Sequence, residues 1–398
     1  MLTPVELQEL VTRVFQPTAA ERSLAVLVDL PDAHTPDEPD WQDRRHLARA
    51  WVEALRADGE AFAPVDLLLY GNVGRNNADL PAVAWRWSGD ELPRQVAELD
   101  PAAGQPFPEL LAKYRLLLAP TQFSATAPLK QLARTLGFRA ATMPGFSTRM
   151  IPALRLDYGE IARRVELLKA LLDQATAASF TFAWRGSPPD WDPAWLADHE
   201  APAPAALDLH LDLRHRLAHA STGLLPTPGT AGNLPSGEAY VVPYEGELPG
   251  DPSQSAGLLP VQLDDELVVY AVSANRAQRV VTRGPHSATE AALLQAEPAY
   301  GNLAELGLGV LADLGVPPCG ELLLDEKLGL HLAFGRSDHF GGQVGAADFS
   351  RAEAVVHLDR VYLPATQPRV EVVAATLTLP EEEVPLIRHD RWVFPFGG

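Results

Sequence analysis

The chain has a single cysteine, Cys319, among 398 residues. No intrachain disulfide can form, and a cysteine-cage zinc site is excluded. One thiol in so long a chain fits a reducing compartment, so a cytoplasmic location is expected. No apolar run reaches the roughly 18 residues of a membrane span. The stretch Met1-Leu-Thr-Pro-Val-Glu-Leu-Gln has neither a basic nor an apolar segment, so no signal peptide is expected there. Lysine is scarce too: Lys113, Lys130, Lys169 and Lys327 are the only ones.

Acidic residues outnumber basic ones 52 to 32, a net charge of −20. A field of that sign repels nucleic acid and anionic lipid, so neither is expected as a partner. Several catalytic signatures are also missing. There is no Gly-x-Ser-x-Gly elbow, no His-Glu-x-x-His helix, no P-loop and no Gly-x-Gly-x-x-Gly turn. A serine hydrolase of the elbow type and a nucleotide site are therefore unsupported.

Hydrophobic residues make up 46% of the chain, enough for a large core in two domains. Residues 5–15 and 42–56 have helical periodicity. Leu24–Asp29, Val65–Tyr70 and Tyr114–Ala119 are short apolar runs of buried-strand length. Helical patterns at 92–98, 107–113 and 127–137 alternate with them, and 140–143 reads as a further strand. This alternation predicts a doubly wound, mostly parallel sheet over residues 1–177, closed by a long helix from Asp157 to about Ala177. From 178 to 398 the pattern turns to period two, predicting a β-rich α+β domain. Its strands are expected at 179–184, 207–213, 239–243, 257–262, 267–271, 277–282, 321–324, 331–334, 354–363 and 369–377, with one helix near 287–296. A Pro/Ala-rich insertion falls at about 186–206.

Four segments of the second half carry candidate chemistry. Asn233-Leu-Pro-Ser-Gly-Glu238 is a stiff turn that presents Glu238 at the mouth of a strand. Asn302-Leu-Ala-Glu-Leu-Gly-Leu-Gly309 reads as a Gly-punctuated loop that sets Glu305 between apolar neighbours, where a carboxylate needs a cation, a metal or a proton. His331 opens the run His-Leu-Ala-Phe-Gly335. His357 and Asp359 stand at i, i+2 on a strand, hence on one face. Imidazoles with carboxylates form the donor set of zinc, cobalt, manganese or iron. Each segment alone reads equally well as an ordinary turn or a hydrogen-bonded pair. Together they predict a metal centre of Glu238, Glu305, His331, His357 and Asp359. Five ligands leave room for two ions. His339 lies in a Gly-flanked loop near His331. Lys327 reads either as a partner for a carboxylate or as a surface lysine, and His210, His215 and His219 as structural or surface groups.

Taken in order, these motifs resemble the aminopeptidase T / aminopeptidase S family of metallopeptidases. The similarity is best over 230–363 and looser from about 140, where Met143-Pro-Gly-Phe-Ser-Thr-Arg-Met150 precedes the long helix. The resemblance implies hydrolysis of the first peptide bond of peptides with a free N-terminus, two divalent ions (zinc, cobalt or manganese), and a homodimer. It implies Glu238, Glu305, His331, His357 and Asp359 as ligands, with Glu238 or Glu305 as proton acceptor. Active family members carry a tyrosine shortly after the first histidine. None lies between His331 and Tyr362 here, and His339 is the substitute on offer. The same resemblance reaches a one-iron dioxygenase of dihydroxypyridines, so a ring-cleaving dioxygenase and a catalytically impaired binding protein are the alternatives.

Overall fold

The computed structural model describes residues 1–57, 61–198 and 202–397, which form a mixed α/β protein with three sheets. Residues 199–201 of the Pro/Ala-rich insertion lie outside that description. The chain parts into two compact units. One is Met1–Ala162 with Ser221–Gly237, and the other is Arg163–Ala220 with Glu238–Gly398. The dividing point thus falls within the long helix Tyr158–Leu172, and residues 221–237 return to the first unit.

The first unit is built on a seven-stranded sheet. Its order is Ala231–Asn233, Arg139–Thr142, Leu116–Ala119, Leu24–Leu30, Val65–Gly71, Val83–Trp87 and Gln105–Pro106. The first five are parallel neighbours and the last two run antiparallel. The apolar runs become parallel strands because both faces are covered: every residue of Leu24–Leu30 is buried. Asp29, buried within that run, accepts hydrogen bonds from the backbone N–H groups of Gln122 and Phe123 and from the Trp41 indole, which offsets its desolvation. Helix Pro4–Phe15 starts at a capping box in which Thr3 and Glu6 each accept from the other's backbone.

The second unit holds two antiparallel sheets. An eight-stranded sheet runs in the order Arg276–Val280, Glu266–Ser273, Ala256–Leu263, Leu207–Asp212, Ala177–Trp184, Val370–Thr378, Glu383–Arg388 and Arg391–Trp392. A five-stranded sheet runs His357–Val361, Leu330–Gly335, Leu303–Gly309, Glu238–Val241 and His219–Ser221.

Several local readings need correction. The strand expected at 321–324 is a helix, Leu322–Asp325. Its apolar residues do not alternate with polar ones, and the Asp325 carboxylate closes the preceding turn by accepting from the N–H groups of Cys319 and Gly320, each at 2.9 Å. The helix expected at 92–98 shrinks to a 3-10 turn at Val96–Glu98. Glu305 is not in a loop: it lies within strand Leu303–Gly309, in the middle of the five-stranded sheet. Among the described residues, no helix is long and apolar enough to cross a membrane.

Candidate metal centre

The five-stranded sheet explains how distant acids and imidazoles meet. Period two puts Glu238 and Tyr240 on one face of their strand, and does the same for Glu305, Gly307 and Gly309. His331, Ala333 and Gly335 follow on the next strand, then His357, Asp359 and Val361. The antiparallel register aligns these sets. Tyr240 pairs with Gly307, Gly307 with His331, and His331 with Val361. Glu305 pairs with Ala333, which pairs with Asp359. All five predicted ligands therefore share one face, interleaved with glycine and alanine. The alternate residues Leu306, Leu308, Leu332 and Phe334 are fully buried.

Two trios of donor atoms result, each mutually within 4.8 Å: Glu238, Glu305 and His331, and Glu305, His357 and Asp359. Glu305 belongs to both. Its Oε1 lies 3.4 Å from His331 Nε2 and its Oε2 lies 3.1 Å from His357 Nε2. Asp359 Oδ1 is 3.6 Å from His357 Nε2, and Glu238 Oε2 is 3.6 Å from His331 Nε2. Glu238, Glu305 and His331 are 5%, 4% and 1% exposed, so water screens their charges little.

The electrostatics follow from that crowding. Burial works against the Glu305 carboxylate, but hydrogen bonds from the two imidazoles outweigh it and hold the group below the usual carboxylate range. Burial likewise opposes protonation of His331, yet the Glu305 hydrogen bond and the charges of Glu238 and Glu305 push it up to about 9. His357 is raised in the same way by Asp359 and Glu305 against its own burial. Burial raises Glu238 despite the neighbouring charges of Lys327 and His331.

A divalent cation fits these donors. Glu238 Oε2 is buried with no hydrogen-bond partner among the described residues. His357 donates its Nδ1–H to the Arg336 carbonyl at 2.7 Å, which fixes the tautomer and leaves Nε2 facing Glu305 and Asp359. An imidazole oriented by a carbonyl on one nitrogen and turned to carboxylates with the other is how metal-ligating histidines are held.

Lys327 is not a surface residue. It is 2% exposed, and its ammonium binds Glu238 Oε1 at 2.5 Å and also the Glu326 carboxylate. Burial pushes Glu326 up to about 8 in spite of that lysine. Glu326 was missed from the sequence, where it reads as one more charge in Asp-Glu-Lys. His339 lies on the 3-10 turn Asp338–Phe340, its ring 5.1 Å from the His357 ring. Burial and the His357 charge bring it down to about 4. The loop carrying it is tied by Glu245, which accepts from Asn302 Nδ2 at 2.7 Å and from Ser337 Oγ at 2.6 Å. Glu245 lies in no recognisable motif, and Asn302, which opens the segment quoted for Glu305, was not singled out. His219, read as structural or surface, is a rim residue. It donates to the Phe340 carbonyl at 2.9 Å and stacks on Tyr240. His210 and His215 stay outside the cluster, on Ser179 and Asp251.

No protein-family profile matches the sequence, and no curated protein does. Solved structures do match. A 2,5-dihydroxypyridine dioxygenase from Pseudomonas putida KT2440 is similar with a TM-score of 0.58 and 15% identity, over 99% of each chain. AmpT from Thermus thermophilus is similar with a TM-score of 0.53 and 14% identity, over 98% of this chain and 99% of that one. At such identities the likeness establishes a shared fold along nearly the whole chain.

Proposed function

We propose that this chain is a metal-dependent aminopeptidase that hydrolyses the first peptide bond of peptides with a free N-terminus. The observation that carries the reading is the sharing of Glu305 between two donor trios. One carboxylate serving two ligand sets is what a two-ion centre requires. Glu238, Glu305 and His331 would hold one divalent ion, and Glu305, His357 and Asp359 the other. Zinc, cobalt or manganese each suit these donors. Bound there, the ions would bring the pKa of water towards neutrality and polarise the scissile carbonyl.

The protein groups have distinct tasks in this reading. Lys327 holds Oε1 of Glu238, so Oε2 is the oxygen turned to the site. Glu238 or Glu305 takes the proton of the attacking water. In this reading His339, whose ring is 5.1 Å from that of His357, donates a hydrogen bond to the developing oxyanion, in the absence of a tyrosine between His331 and Tyr362. The free α-amine of the substrate would ligate one of the ions, which supports cleavage from that end.

The test is hydrolysis of aminoacyl-p-nitroanilides by protein reloaded with each metal, alongside elemental analysis. Two ions per chain with turnover is the expected result. Full occupancy without turnover under any metal would remove the assignment. One observation favours a second reading. A dioxygenase shares the fold, and His331, His357 and a carboxylate are the residue types of the facial triad used by iron oxygenases. One iron per chain with oxygen uptake on a hydroxylated aromatic would select it.

A further inference from the structure

A chain of aromatic rings borders the metal centre. Phe340, at the end of the turn Asp338–Phe340, stands edge-on to Tyr240 at 4.9 Å between centroids and edge-on to His357 at 5.4 Å. Tyr240 is two residues beyond Glu238 on the same strand face and pairs with Gly307 in the ladder. His219 stacks on the outer side of Tyr240 at 5.1 Å. Phe340 thus bridges from the Glu238 strand to the His357 strand, passing over the face that carries the donors. Tyr240, Phe340 and His219 are all half-buried rather than sealed in the core. The turn is anchored by its main chain, since His219 donates to the Phe340 carbonyl.

A core aromatic cluster would be closed off from solvent, and a surface one would lie away from the chemistry. This one is partly open, and one of its contacts is a candidate ligand. Phe340 also lies against His339 at 3.9 Å, so these rings form one partly accessible aromatic surface, and such a surface favours another planar ring by offset or edge-to-face packing. We propose that Phe340 and Tyr240 form the pocket wall that selects an aromatic side chain on the substrate's first residue. The proposal rests on the aminopeptidase reading for its substrate class. The wall itself is a feature of Phe340 and Tyr240, whatever the reaction.

The test is calorimetric titration of the zinc-loaded protein with phenylalaninamide, alaninamide and lysinamide, which reads binding without requiring turnover. Phenylalaninamide is expected to bind roughly tenfold more tightly than alaninamide. That ratio should fall towards one in Phe340→Ala and in Tyr240→Leu, with both variants keeping the metal content of the parent. Equal affinities in the parent, tighter binding of lysinamide, or variants that weaken all three amides alike would overturn the proposal. The two readings fail separately. Preference for the aromatic amide without turnover of any anilide keeps the wall and removes the peptidase. Turnover of anilides with no aromatic preference does the reverse.

Discussion

Gly307 lies directly across the ladder from His331, and a methyl group on its Cα would stand 1.9 Å from the imidazole Nε2. The imidazole leans over the neighbouring strand into the space that the missing side chain leaves. The glycines that look like loop punctuation in Glu305-Leu-Gly-Leu-Gly309 are thus strand residues on the ligand face. A Cβ on Gly309 would likewise run into the Lys327 backbone, at 2.1 Å. The Glu-Leu-Gly-Leu-Gly pattern is a period-two strand in which one face offers an acid and then room, and the other packs leucine.

Gly307→Ala is therefore expected to displace His331 while leaving the fold. Overpacking of this kind costs about 1–3 kcal/mol. On the two-ion reading, elemental analysis of the reloaded variant should fall from two ions per chain to one, since His331 serves only the trio with Glu238 and Glu305. Full occupancy at parental affinity would contradict the placement of His331.

The shared carboxylate makes a sharper contrast. Glu305→Ala removes a donor from both trios, whereas Asp359→Ala removes one from a single trio. On the two-ion reading, equilibrium dialysis should find both ions weakened by at least about tenfold in the first variant and one in the second, since losing even an outer partner of a ligand weakens a metal on that scale. Equal stoichiometries in the two variants would argue against a bridging role.

Lys327 bridges the buried carboxyl groups of Glu238 and Glu326. Lys327→Met leaves Glu238 and Glu326 facing each other without a cation, and removing one partner of a buried ion pair costs about 3–5 kcal/mol. Urea unfolding of the metal-free protein should show that loss. Adding Glu326→Gln should recover little of it near pH 7, because burial already keeps the Glu326 carboxyl protonated there. A lysine variant as stable as the parent would mean that the ammonium does not offset those carboxylates.

Away from the site, Glu266 caps helix Pro285–Ala296, accepting from the backbone N–H of His286 at 2.9 Å and of Ser287 at 2.7 Å. Partial burial opposes its ionisation, but hydrogen bonds from Ser287 and His286 prevail and its pKa is lowered. A carboxylate favoured by folding adds stability above its unfolded pKa and loses it as pH falls through the folded value. Glu266→Gln should cost about 1 kcal/mol near pH 7. The gap to the parent should close as the pH is taken below about 4, where the parent's carboxyl protonates as well. Thermal melts of both proteins across that range test the sign, and a gap that widens in acid would refute it.

Short apolar runs and the switch from helical to period-two spacing were sufficient to predict a mixed α/β chain with a β-rich second half, because those patterns report which faces must leave water. The ligand types were legible for a related reason. His357 and Asp359 share a face by strand geometry alone, and a carboxylate set among leucines announces a need for a counter-charge. Their convergence was expected only from the four motifs taken together, and no local pattern gave its geometry. Glu305 meets His331 and His357 through strand order and register, which depend on contacts between residues up to 52 positions apart. The burial of Lys327, the room left by Gly307 and the bridging of Phe340 from Tyr240 to His357 were decided by the same packing. Local sequence sets what each strand can present. Only the assembled sheet sets what stands beside it.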